Sequence, residues 1–251
     1  MKQAPLSAWL TVVVAAAAFM VLVLLASRLL GAIVGPRAQS LRQQVTLRIT
    51  RSALGQAAGI VLLALYLHVQ GHSLAELGFS TIGTPLGWLV SGAVTAFFVF
   101  GLLRGPLRGV AKMRDLSAFR LYNALAAAVA GGFIEETLFR GFVMTELAGA
   151  GVGWVLQVAA GAVLWGLVHF QWGRARGHYD SRRVIGAVGN TGVLGLAYGV
   201  AYLVGGRSLW PVIAGHGVLN LFVEPWLVMA GLTGRLGSSA AAAQPINGSA
   251  N

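Results

Sequence analysis

The sequence predicts an all-α bundle of membrane-spanning helices, about seven of them. Three observations carry this. Hydrophobic residues make up 57% of the 251 and charged residues 10%, against about 25% charged in ordinary globular chains. Mean hydropathy is +0.75. The apolar residues also fall in runs of about 20, the length that crosses roughly 30 Å of hydrocarbon at about 1.5 Å per residue. Together these exclude a disordered chain and a water-soluble domain.

In order, the runs are Ala8–Ala26, Ser52–Val69, Pro85–Leu103, Leu121–Leu147, Val152–Phe170, Val184–Val204 and Leu209–Gly231. The first is too long for a signal peptide and is preceded only by Lys2, so it reads as an uncleaved anchor. The organisation is then residues 1–120 as N-terminal spans with basic loops and 121–231 as a helical core. Residues 232–251 form a tail, Gly- and Ala-rich from Gly237 to Asn251, which reads as disordered.

The basic residues test the list of spans. Arg28, Arg37, Arg42, Arg48 and Arg51 fall between spans one and two. Arg104, Arg108, Lys112, Arg114 and Arg120 fall between three and four. Arg174, Arg176, Arg182 and Arg183 fall between five and six, and Arg235 follows span seven. The alternate side holds only Lys2 and Arg207. The positive-inside rule puts the amino terminus outside and the tail inside. The net charge of +11 is thus a membrane signature, and no nucleic-acid module accompanies it. Cysteine is absent, so there is no thiolate nucleophile and no Cys-based metal site. Gly186, Gly189, Gly192, Gly195 and Gly199 recur every three or four residues on span six and read as a close-packing stripe.

Ionisable residues inside a membrane are expensive and need reasons. Here they are Glu135, Glu136 and Arg140 on span four, His169 near the end of span five, and His216 with Asn220 on span seven. Glu224 follows on the same span, while His68, His72 and His178 read as solvated. Glu136 and Arg140 are four apart with the acid first, the favoured order for a helical ion pair. Glu135 projects about 100° away on an α-helix and has no basic partner at helical spacing. Taken singly, each group has a structural explanation: a self-contained ion pair, a hydrogen-bonded interfacial histidine, or interhelical hydrogen bonds from His216 and Asn220. Taken together they are a carboxylate base, a histidine and two donors for an oxyanion, the parts needed to hydrolyse an amide with activated water. No G-x-S-x-G elbow is present, and no Lys-Ser/Thr follows Gly131-Gly132.

The set Glu135-Glu136-x-x-x-Arg140, Trp165-x-x-x-His169 and His216-x-x-x-Asn220 resembles the signature of the CAAX prenyl endopeptidase and bacteriocin-processing (CPBP) family of intramembrane proteases. The resemblance covers about Asn123 to Phe222, with Trp165 where the family usually has Phe. It implies a polytopic helical protease in which Glu135 and His169 activate the attacking water. His216 and Asn220 would hold the oxyanion, and Glu136 and Arg140 would support the site. It implies no cofactor in the glutamate-type reading; in a metal-dependent reading zinc would sit on Glu135, His169 and His216. The implied partners are membrane lipid and a peptide or protein substrate. The Arg-, Ala- and Gly-rich composition points to a bacterial inner membrane. The other readings of the same residues are a non-proteolytic immunity or scaffold subunit and a proton-coupled transporter. Helix depth poses a difficulty: in straight, upright helices Glu135, His169 and His216 do not meet. The expectation is one shared cavity opening on the basic side.

Overall fold

The computed structural model describes residues 6–34, 40–105, 107, 118–175 and 181–232. Lys2, Arg37, Arg108, Lys112, Arg114, Asp115, Arg176, His178, Asp180, Arg235 and the tail from 233 onward lie outside the described residues. The described chain is helical, with no strand among its residues.

The helices are α1 (Leu6–Val34), α2 (Leu41–Val69), α3 (Pro85–Arg104), α4 (Ala118–Ala127), α5 (Met144–Gly149), α6 (Trp154–Ala175), α7 (Ser181–Val204) and α8 (Trp210–Leu232). A 3-10 turn, Leu74–Leu77, lies between α2 and α3. Two π-helical segments, Ala128–Glu135 and Thr137–Val143, join α4 to α5 in one rod. The result is seven rods among the described residues, one for each apolar run.

Start signals explain the helix ends. Ser40 caps α2 in a capping box with Gln43, and Thr84 caps α3 ahead of Pro85. Because the Ser40 cap sits so early, α2 is 29 residues long. Arg42, Arg48 and Arg51, expected in a loop, are therefore helical, as is Arg28 on α1. An apolar window marks where the hydrocarbon lies, and the helix runs on past it into the polar layer.

Four helices are long and apolar enough to cross a membrane: Leu6–Ala26, Leu41–Val69, Pro85–Arg104 and Trp210–Ala230. In α6 and α7 the apolar parts are shorter, Trp154–Phe170 and Val188–Val204. The fourth rod is interrupted by its buried charges. Leu10, Leu62, Phe97, Leu125, Leu167, Val193 and Val218 are exposed, which is how a helical bundle meets lipid rather than water.

The glycine stripe on α7 packs only over its second half. A Cβ on Gly195 would meet the Ala162 backbone at 3.0 Å, and one on Gly199 would meet Val158 at 3.0 Å. Gly186 and Gly189 are exposed with nothing near. The two helices still approach closely nearby, where a Cβ on Gly166 would meet the Val188 carbonyl at 3.2 Å and Gly192 Cα at 3.6 Å, so it is the glycine Cβ positions, not the whole stripe, that miss the expected contact.

Candidate active site

Small residues let the fourth rod lean on α8. A Cβ on Gly132 would meet the Gly217 Cα at 2.8 Å, and one on Gly131 would overlap Asn220 Nδ2. The Ala130-Gly131-Gly132 run therefore brings the backbone itself against α8. The same stretch is π-helical, a form found mostly at functional positions. Glu135 is the eighteenth residue of the rod, near its middle. Helices α2, α6 and α8 each send a side chain to the two acids there, which removes the expected mismatch of depth.

The two acids take different partners. Glu136 is fully buried, and its Oε1 accepts from Arg140 Nη1 at 3.0 Å and from His216 Nδ1 at 2.7 Å. Arg140 also donates to the Gly195 carbonyl at 3.0 Å and lies 4.6 Å over the Trp165 ring. The expected Glu136–Arg140 pair is thus formed, with His216 as a third member. Tyr198 stacks on the His216 ring at 5.7 Å, its own hydroxyl 3.0 Å from Thr95 Oγ1.

Glu135 receives one N–H on each oxygen. Gln56 Nε2 donates to Oε1 at 2.8 Å and Trp165 Nε1 to Oε2 at 2.7 Å. His169 Nε2 stands 3.9 Å from Oε2. The His169 Nδ1 is 2.9 Å from the Trp165 carbonyl. A carbonyl only accepts, so Nδ1 carries the proton, and in the neutral ring Nε2 carries the accepting lone pair. Two acceptors 3.9 Å apart are the setting for a bridging water.

Glu135, His169, His216 and Asn220 line one cavity of about 240 Å³, with Gly131, Gln56, Arg48, Arg51 and Glu224. Glu136 and Arg140 stand behind it. Asn220 Nδ2 donates to the Ala127 carbonyl at 3.1 Å, and both Nδ2 and His216 Nε2 come up against Gly131. All six residues singled out in the sequence therefore belong to one constellation. His72, by contrast, is exposed and pairs with Glu76 at 2.7 Å, away from the cavity. Glu76 lies outside the spans, and the hydrogen bonds from His72 and the Ser73 N–H hold its carboxyl below the usual range.

Sequence reasoning missed Gln56, Tyr198 and the cavity-lining role of Glu224. Gln56 lies near the start of the apolar run Ser52–Val69, and as a neutral residue it carries no ionisation penalty to mark it. In the zinc set both rings are held through Nδ1, His169 by the Trp165 carbonyl and His216 by Glu136. Both Glu135 oxygens already accept N–H donors. No group of three His, Cys, Asp or Glu among the described residues is placed to hold a metal.

Residues 117–222 match the family described as type II CAAX prenyl endopeptidase Rce1-like. No curated protein and no solved structure is significantly similar to the chain.

Proposed function

We propose, from the match of residues 117–222 to the Rce1-like family of type II CAAX prenyl endopeptidases, that the chain is a glutamate-type intramembrane endopeptidase. The observation that carries the reading is the 3.9 Å gap between Glu135 Oε2 and His169 Nε2. A water beside the two atoms donates one O–H hydrogen bond to each acceptor and keeps a lone pair for a peptide carbonyl. Attack on the carbonyl carbon breaks its π bond and sends the electron pair to oxygen. The proton lost by the water goes to the Glu135–His169 pair and is delivered to the leaving amine as the C–N bond breaks.

His216 Nε2 and Asn220 Nδ2 are the donors for the developing oxyanion. This requires a proton on both His216 ring nitrogens, with Glu136 Oε1 holding the one on Nδ1. Arg140 fixes Glu136 in turn. The chemistry needs no cofactor in this form, and the substrate is a peptide or protein reached in the membrane. The composition suits a bacterial inner membrane.

The test is purified protein with a fluorogenic peptide library, wild type against Glu135→Gln, with and without a strong chelator. The expected result is cleavage that survives chelation and falls about 10²- to 10⁴-fold in the variant, the usual share of a general base. Equal cleavage by both proteins removes Glu135 as the base. Loss on chelation restores the metal reading, and no cleavage by wild type favours the scaffold reading.

A further inference from the structure

Helix α2 carries two polar groups that the proposed chemistry does not use. Gln56 is 3% exposed. Its Nε2 donates to Glu135 Oε1 at 2.8 Å and lies 3.4 Å from Ser52 Oγ. That fixes the amide, because the opposite orientation would set a carbonyl against a carboxylate. Gln56 Oε1 is then buried with no hydrogen-bond partner among the described residues. Five residues earlier, Arg51 Nε is in the same condition. Both residues line the cavity that holds Glu135, His169, His216 and Asn220.

A buried donor or acceptor left unpaired is destabilising and needs a partner. One orphan here accepts and the other donates, so a simple anion or a simple cation satisfies only one of them. A peptide main chain offers both an N–H and a C=O at every residue other than proline. The spacing also fits. Along the axis five residues of α-helix rise about 7.5 Å, close to the about 6.6 Å of two extended residues, and both side chains reach the same cavity although they leave the helix about 140° apart.

We infer that α2 is the substrate-binding wall of the site. Gln56 Oε1 accepts a substrate main-chain N–H beside the scissile bond, and Arg51 Nε donates to a substrate carbonyl about two residues further toward the basic end of α2. Recognition of this kind reads backbone and tolerates varied side chains. The inference rests on the protease reading and adds a binding element from outside the matched residues 117–222.

The experiment uses full-length protein in phosphatidylcholine nanodiscs and the library peptide that wild type cleaves fastest. Single main-chain N–H groups of that peptide are replaced in turn by ester oxygen. In wild type one ester position raises KM about five- to tenfold, the worth of one hydrogen bond. In Gln56→Met the same ester brings no further loss, a coupling that a merely structural role does not produce. Arg51→Met raises KM by a similar factor, with the loss confined to KM. The inference is overturned if no ester position separates wild type from Gln56→Met, or if Arg51→Met has the wild-type KM. The Arg51→Met comparison is repeated in nanodiscs containing phosphatidylglycerol, and an effect seen only there assigns Arg51 to a headgroup and overturns its part in the wall. A wild type that cleaves no peptide overturns the protease reading and this inference together.

Discussion

Glu135 and Glu136 are neighbours in the chain and opposites in role. Glu136 Oε1 is shared by Arg140 and His216, all three buried. Glu135 faces the cavity and is held by neutral donors. The same substitution should therefore do different things at the two positions. Glu136→Gln leaves the Arg140 charge buried without its counter-ion, and breaking such a pair costs about 3–5 kcal/mol. Glu135→Gln loses one acceptor, a cost of about 1 kcal/mol, yet removes the proposed base. Thermal unfolding followed by circular dichroism should show a large drop for Glu136→Gln and a small one for Glu135→Gln. A Glu135 variant as unstable as the Glu136 variant would mean that both acids are structural. Five of the six polar residues were legible in the sequence because ionisable groups in an apolar chain are costly and therefore conspicuous, and Asn220 was legible by its four-residue spacing from His216. Gln56 and Tyr198 were not, because a neutral amide and a phenol carry no such mark. Their roles exist only once α2 and α7 are packed against the site.

At the scale of the element, glycine means two different things in this chain. On the fourth rod, Gly131 and Gly132 bring backbone to α8. On α7, Gly195 brings it to α6, and its carbonyl takes Arg140 Nη2 at 3.0 Å. A Cβ on Gly186, in the same stripe, would meet nothing within 4 Å among the described residues. Periodicity alone makes Gly186 and Gly195 equivalent; what surrounds each Cβ position separates them, and no residue spacing reports it. The consequence is a contrast. In Gly195→Ala the new Cβ meets Ala162 Cα at 3.0 Å and Trp165 Cε3 at 2.9 Å, and overpacking of this kind costs about 1–3 kcal/mol. Gly186→Ala enters open space on a helix, where Ala is favoured over Gly by up to about 1 kcal/mol. Melting temperatures should fall for Gly195→Ala and hold or rise for Gly186→Ala. Equal losses would mean that the whole stripe is packed after all. The π-helical form of the fourth rod was equally hidden, since an i,i+4 pair such as Glu136–Arg140 reads as ordinary α-helix and still closes here at 3.0 Å.

For the whole molecule, the side of the membrane that the cavity faces follows from α2. The helix runs from Leu41 to Val69, about 43 Å at 1.5 Å per residue, which exceeds the roughly 30 Å hydrocarbon layer. Its first turns carry Arg42, Arg48 and Arg51, and the last two line the cavity beside Glu135. The cavity therefore opens toward the basic end of the helix. The excess of basic residues expected on that side predicts a cytoplasmic opening by the positive-inside rule. Because the chain has no cysteine, single-cysteine labelling tests this without background. Gln44 and Gln70 are both exposed, near opposite ends of α2. Gln70→Cys should react with a membrane-impermeant maleimide in intact cells, and Gln44→Cys only after permeabilisation. The reverse pattern would put the basic face and the cavity outside, so that a substrate would enter from the outer leaflet. Labelling of both in intact cells would mean that α2 does not cross. Under the proposed function, the expected orientation predicts that a peptide enters past Arg48 and Arg51 from the cytoplasmic side to reach Glu135, which lines the same cavity.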